Sequence, residues 1–292
     1  MIARYDHAVL CTLGDLVEDV VVWLHESINY GTDTPARIVR RRGGSAANVA
    51  AFAAAAGASR FVGQVGDDDI GERLLAGLRA DGVETVVARG GHTGSIVVVV
   101  DPTGERTMLT DRGAATDLRE LPVGALEGVH ALHVPAYSLT VNPLAATAQT
   151  AIDTARRLGV RISVDASSTA LLREFGVKRF RQLVEQLRPD VFFCNRDEHR
   201  ALGLDRGAPM PGCDITVIKA GADPTVAVIE GTTRMIAVPP VSHIVDTTGA
   251  GDAFAAGFLM AWIHEGDPVN AIDEAHRLAA RVLASPGASV GS

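Results

Sequence analysis

Few sequence features restrict a fold as tightly as the one that begins near residue 131. From there the chain alternates short apolar runs with stretches of helical spacing. Runs at 131–134, 160–164 and 191–193 read as buried strands. Between them, 144–158 and 177–187 read as helices, the second with Phe180, Leu183, Val184 and Leu187 in step, and 196–202 as a short helix. Strands follow at 215–218, 225–229 and 234–238, then helices at 249–264 and 268–284. Such alternation implies a mostly parallel sheet covered by helices on both faces.

The first 130 residues contain two patterns. One continues the layered core: a strand at 7–14, an Ala-rich helix at 44–57 that closes on Gly57, a strand at 60–65, and a helix at 69–80 with Ile70, Leu74, Leu75 and Leu78 on one side. The other is β-rich but punctuated by charge, at 17–24 and 37–41, and in a hairpin pattern at 94–100 and 106–110 around the turn DPTGE. These segments suit exposed strands. They predict a small appended sheet built from two insertions, about 15–42 and 92–112. No repeat or low-complexity linker interrupts the 292 residues, so we expect a single domain, 1–292, with that sheet as a lid.

Charge and cysteine usage narrow the function classes. With 27 basic against 35 acidic residues the net charge is -8, which argues against nucleic acid as partner. Lys178 and Lys219 are the lysines of a chain whose other basic residues are arginine. Cys11, Cys194 and Cys213 form no CxxC and read as small buried hydrophobes in a reducing compartment. The first apolar stretch carries Asp6, Asp15, Glu18 and Asp19, unlike a signal peptide, and no apolar run reaches ~20 residues. The expectation is a cytoplasmic protein without a membrane partner.

The chemistry is concentrated in DTTGAGDAFAAGF, 246–258. Gly249, Ala250 and Gly251 precede a helical pattern, and a helix starting there aims unpaired backbone amides and the positive end of its dipole at one spot. That spot suits a phosphate or a developing anion. Asp252 falls in the first turn, where a carboxylate can take a proton from an attacking hydroxyl; alternatively it only complements the dipole. There is no GxxxxGK[ST], and GAGDAF has Phe254 where a dinucleotide fingerprint needs its third glycine. A second run, GGSAANVA at 43–50, places Gly43 and Gly44 before a helix and offers Asn48 as donor and acceptor for a sugar hydroxyl.

Together these motifs resemble the PfkB, or ribokinase-like, family of carbohydrate kinases. Asp246, Gly249, Ala250, Gly251 and Asp252 match its C-terminal signature; Gly43, Gly44 and Asn48, followed by GQVGDDDIG at 63–71, match its N-terminal one; NRDE at 195–198 resembles its NxxE motif. The resemblance spans nearly the whole chain. It implies a three-layer α/β sandwich with a mostly parallel central sheet and a small β-sheet lid. It implies an ATP-dependent kinase, with Asp252 as base and the 249–251 amides as anion hole. Asn195 and Glu198 would hold Mg²⁺, mostly through water, and would equally serve as a plain helix cap. Lys219 and Gly221 fall where the family touches nucleotide phosphates; a lysine at a strand end is also commonly just solvated. Asp19, five residues after Gly14, matches a carboxylate that binds sugar hydroxyls, with a solvated lid charge as the equal alternative, and Ile96 and Val98 would face the substrate from the lid. Asp246 and Thr248 match positions that hold K⁺ in some relatives, and the tail 285–292 resembles the other half of that site.

The match departs where ribokinases carry a substrate-contacting Glu: here the stretch is HVPAYSL, with Pro135 near that place and Tyr137 and Ser138 as alternatives. Arg40, Arg41, Arg42, Arg106 and Arg112 could meet an anionic acceptor, although strand alternation sends Arg41 to the face opposite Arg40 and Arg42, and solvated lid charges are the favoured reading. The nine histidines show no metal spacing and receive no role. A sugar-like acceptor is favoured over a nucleoside because aromatics are only 4% of the chain and a base needs a surface to stack on. A sugar-acid kinase of the keto-deoxy-gluconate type, and a non-catalytic sugar or nucleotide sensor, are the other readings. Exposed lid edges would allow a homodimer.

Overall fold

The structure, a computed structural model, describes residues 5–241 and 243–285. A nine-stranded sheet forms its centre. Its strands are β1 (Tyr5–Leu13), β4 (Gly57–Val65), β5 (Val83–Arg89), β8 (Ala131–Pro135), β9 (Arg161–Asp165), β10 (Val191–Asn195), β11 (Ile215–Lys219), β12 (Thr225–Ile229) and β13 (Thr232–Ile236). Their order is β13-β12-β11-β10-β9-β8-β1-β4-β5. Pairing is parallel from β5 through β11 and antiparallel for β12 and β13. The direction of winding reverses at β1, so the crevice at the carboxyl ends of β1 and β8 is where such a sheet accepts ligands.

Apolar residues cover both faces, as period-two alternation in a doubly buried strand requires. On β10, Phe192 joins the cluster formed with α4 (Leu144–Arg157) and α6 (Val177–Leu187), while Phe193 joins α8 (Ala250–Glu265) and α9 (Pro268–Leu283) on the other face. Helices α1 (Ser45–Ala54) and α2 (Asp69–Ala80) lie on the α8 side. Buried from Ala253 to Trp262, α8 is a core helix, and Gly257 lets it approach α9 so closely that a Cβ there would lie 2.9 Å from the Ala275 Cα. Short helices α3 (Tyr137–Thr140), α5 (Thr169–Phe175) and α7 (Arg196–Ala201) line the loops at the strand ends. No helix among the described residues is long and apolar enough to cross a membrane.

A second sheet of four strands, in the order β3-β2-β6-β7, is made of β2 (Val17–Leu24), β3 (Ala36–Gly43), β6 (Thr93–Val100) and β7 (Arg106–Gly113). The hairpin read at DPTGE closes β6 onto β7, with the Asp101 carboxylate accepting from the Thr103 and Glu105 amides. Register decides which side chains look inward: Asp19 pairs with Ile96 and Arg41, and Ile96 with Thr110, so all four share one face.

Some local readings are corrected. Strand β5 and helix α5 are absent from the sequence reading. Val83–Arg89 carries no clear alternation, and Thr169–Phe175 is a seven-residue helix capped by Ser168. The last strand lies at Thr232–Ile236, two residues before the expected 234–238, because it starts from a tight turn with Glu230 and Gly231 at positive φ.

Candidate active site

The carboxyl ends of β1, β8, β9, β10 and β11 converge on one cleft of about 940 Å³, whose opposite wall is the inner face of the small sheet. Asp19, Gly44, Ile96, Val98, Asn195, Glu198, Lys219, Gly221, Gly249, Ala250, Gly251 and Asp252, all singled out from the sequence, line it.

Helix α8 begins at Gly249, held at φ 78° with no side-chain cap, and no bond to the Gly251 or Asp252 amides is found among the described residues. Those amides remain available to an anion, as at any uncapped helix start. Asp252 lies beside them, half-buried, and α1 grips its carboxylate. Ser45 Oγ donates to Oδ1 at 2.8 Å and Asn48 Nδ2 to Oδ2 at 3.0 Å. Burial pushes the Asp252 carboxyl up to about 7, against the pull of those two bonds. The Oδ1 of Asn48 is buried without a partner, an acceptor that a ligand hydroxyl would satisfy.

Gly43 and Gly44 serve by close approach. A side chain at Gly43 would fall on the Asp19 carboxylate, and Gly44, at φ 100°, passes against the backbone of Asp15. Asp15, which the sequence reading left unassigned, anchors this corner: its carboxylate accepts from the Ala46 amide at 3.2 Å and pairs with Arg112 at 3.2 Å. Arg112 in turn lies over the Tyr137 ring, 4.1 Å from its centroid. Burial, reinforced by Asp15, raises Asp19 to about 6, and Arg41 opposes the shift.

The remaining arginines separate by strand parity. Arg41 reaches Asp246 at 3.4 Å and Arg106 reaches it at 3.8 Å, both on the cleft side. Arg40 and Arg42 turn outward to Glu18 and Asp81, so the anion-binding reading does not extend to them. Ser138 is also corrected: it is buried and donates to the Leu13 carbonyl, whereas Tyr137 lines the cleft. Asp246 Oδ1 accepts from the Thr248 amide at 2.9 Å and its hydroxyl at 2.7 Å. The tail proposed to complete a K⁺ site lies, beyond Ser285, outside the described residues.

At the far strands, Asn195 and Glu198 form a reciprocal cap on α7: Glu198 N donates to Asn195 Oδ1 at 2.8 Å and Asn195 N to Glu198 Oε2 at 2.7 Å. Burial first, then Asp165, raises Glu198 to about 7. Lys219 is not solvated. Its ammonium crosses above Phe193 to Asp165, 2.6 Å away, and although burial opposes the charge, Asp165 and Glu198 hold its pKa above the ordinary value. Asp165 is a second functional candidate missed in the sequence, because its partner is 54 residues away. Beyond Lys219 the cleft becomes apolar, between Val238, Pro239, Val241 and Ile244 and the α9 residues His276 and Ala280. His276 bonds Thr225 through Nε2 and leaves a buried Nδ1 without a partner.

An open α/β sheet whose strand ends gather a held carboxylate, free helix-start amides and a fixed cation around a two-ended cleft has the build of a phosphotransferase. The chain belongs to the pfkB family of carbohydrate kinases, whose model matches residues 9–292. It is accordingly a phosphotransferase with an alcohol acceptor, of the ATP-dependent sugar or nucleoside kinase class. An ATP-dependent ribose-1-phosphate kinase of Halopiger xanaduensis is 32% identical over 84% of this chain and 81% of its own length. The adenosine kinase of Sinorhizobium meliloti superposes with a TM-score of 0.83 at 24% identity, covering 98% of this chain and 96% of that one. A ribokinase of Thermotoga maritima does so at 0.78 and 22%, covering 96% and 94%. The fold is the ribokinase-like one expected from the motifs.

Proposed function

We propose that this enzyme transfers the γ-phosphoryl group of ATP to a hydroxyl of a small sugar-like acceptor. The observation that carries the reading is the placement of Asp252: half-buried, gripped by Ser45 and Asn48, and adjacent to the uncapped start of α8. The acceptor occupies the end walled by Asp19, Gly44, Ile96 and Val98, with Gly43 making room for Asp19 and Asn48 held behind Asp252. Asp252 takes the proton as the hydroxyl oxygen attacks, and the amides of Gly249, Ala250 and Gly251 hold the oxygens of the transferred group, that of Ala250 by giving up its 3.3 Å bond to the Thr247 carbonyl. ATP lies with its base in the apolar end and its phosphates toward Lys219, Gly221 and α8. The small sheet acts as a lid that keeps water, the competing acceptor, out.

Mg²⁺ fits the residues present. The Asn195–Glu198 cap occupies one Glu198 oxygen, and the carboxyl is crowded by Asp165 in a way a cation relieves. No cluster of three or more His, Cys, Asp or Glu side chains is arranged as a metal cage among the described residues. Bound there, Mg²⁺ would neutralise phosphate charge. A monovalent cation at Asp246 and Thr248 would share that carboxylate with Arg41 and Arg106, so no step is assigned to it.

A nucleoside acceptor is the second reading, favoured by Met108, 60% exposed on the inner lid face beside Ile96 and Val98. A sensor without chemistry has no use for the held carboxylate. On the outer lid face, Ile38 and Leu109 are each 59% exposed, which supports pairing of two copies through their lids. Buried free thiols at Cys11 and Cys194 suit a reducing, cytoplasmic setting.

The test is ADP release with a panel of sugars, sugar phosphates, sugar acids and nucleosides, for the wild type and Asp252→Asn. We expect one class to turn over, and the variant to lose about 10²–10⁴-fold in kcat while still binding nucleotide. Full turnover by Asp252→Asn removes the assigned base.

A further inference from the structure

We propose that Lys219 is a catalytic residue of this transfer, touching the phosphoryl group in flight, and that Asp165 is the positioning residue that aims it. The inference rests on the kinase reading above and adds a transition-state role to what that reading treats as nucleotide binding.

Three neighbouring strand ends create the arrangement. In register, Asp165 stands beside Phe193, and Asn195 beside Lys219, so Asp165 and Lys219 flank β10 at the carboxyl edge of the sheet. The lysine stem does not run out to solvent. It turns back over the Phe193 ring, with Nζ 5.9 Å from the centroid, toward the first turn of α8. There a Cβ on Gly251 would lie only 3.4 Å from Nζ. The ammonium therefore adjoins the backbone amides that would receive the transferred group. Its one described bond, to Asp165 Oδ2 at 2.6 Å, uses one of three N–H donors.

Asp165 is itself fixed. Its Oδ1 accepts from the Ser167 amide at 2.8 Å, and Ser167 sits at φ 64°, a left-handed conformation uncommon for a residue with a side chain. Ser167 Oγ accepts in turn from the Ala136 amide at the end of β8, at 3.0 Å. A strained turn thus holds a carboxylate whose other oxygen holds the lysine. Strain maintained at a cleft is a feature of pre-organised sites. A purely structural ion pair needs neither the strain nor a position on the cleft wall, yet both Asp165 and Lys219 line it.

The chemistry balances. A bond forms from the acceptor oxygen to the γ-phosphorus as the bond to the β,γ-bridging oxygen breaks. Asp252 receives the hydroxyl proton, and ADP leaves with the bond's electron pair. Lys219 keeps its protons throughout; it supplies positive charge where the equatorial oxygens gather, and a lysine acts there as a compact point charge.

The experiment uses the full chain with ATP and the acceptor found in the panel, together with titration of a fluorescent methylanthraniloyl-ADP. For Lys219→Met we expect a loss of about 10²–10³-fold in kcat, the scale of one lost oxyanion donor, with the ADP analogue bound within about threefold of wild type. Lys219→Arg, which keeps the charge, retains more activity than Lys219→Met. Ethylammonium added to Lys219→Ala restores part of the rate in proportion to its concentration. Asp165→Asn lowers kcat at unchanged acceptor KM, and combined with Lys219→Met it is no slower than Lys219→Met alone, because the aspartate acts through the lysine. A Lys219→Met enzyme within threefold of wild-type kcat, or one whose loss is matched by lost ADP binding, overturns the catalytic role. Multiplied losses in the double variant overturn the positioning role. A wild type that phosphorylates no alcohol sinks the kinase reading and this inference with it, whereas normal transfer by Lys219→Met sinks this inference alone.

Discussion

Ser45 and Asp252 stand 207 positions apart in the chain, and their side chains meet at 2.8 Å. The contact joins the first residue of α1 to the first turn of α8. It brings the two glycine-flanked helix starts of the sequence to one carboxylate. Because Ser45 donates to the ionised form of Asp252, it opposes the burial that raises the carboxyl to about 7.

This relationship gives the enzyme a defined pH dependence. As the proposed base, Asp252 works ionised and its pKa in the fold is raised, so kcat/KM for the acceptor is expected to fall as pH drops below about 7 and to level off above it. Ser45→Ala removes a donor to the charged form. The acid limb then moves to higher pH, readable in a pH–rate profile of both enzymes, and an unmoved limb assigns the titration to another group.

Gly43 has a positional reason to be glycine. Ala at this site forces the Asp19 carboxylate aside. The added methyl meets only the end of that half-exposed side chain, which can swing away, so the cost falls on the position of Asp19 rather than on stability. Steady-state kinetics on Gly43→Ala are expected to show a raised acceptor KM, with ATP KM little changed.

The arginines of the small sheet divide by the face they occupy. Arg112 lies in the cleft, paired with Asp15 and stacked on Tyr137. Arg42 points outward to Asp81. Arg112→Ala leaves Asp15 buried without its cation, and kcat/KM for the acceptor drops by about 10-fold or more. Arg42→Ala leaves acceptor KM unchanged; comparison of the two variants with one acceptor checks the division.

Away from the site, Gly257→Ala probes the contact of α8 with α9. The added methyl meets the Ala275 Cα at 2.9 Å and the Glu274 carbonyl at 2.9 Å, both backbone. We expect a loss of about 1–3 kcal/mol in denaturant unfolding, with kcat little altered in the protein that remains folded.

Much of this molecule was legible from spacing. Helices α2 and α6 occupy the stretches read for them, because amphipathic periodicity is local and strong there. The start of α8 was legible because Gly249 has a backbone requirement that shows in the residue type itself. Strand β5, with little alternation, and the brief α5 left no such mark.

What sequence alone determined was the order of most elements, the layered class, and the residue types able to do phosphoryl chemistry at helix starts; each depends on neighbours within a few positions. Tertiary structure decided which of those residues share a site. It turned Arg41 inward and Arg42 outward through register, seated Asp15 under Arg112, and drew Lys219 across β10 to Asp165. Side-chain direction on a strand follows from register with its partner, and a charge pair across a sheet follows from strand order. Neither is encoded in local spacing, so both appear only when the chain is folded.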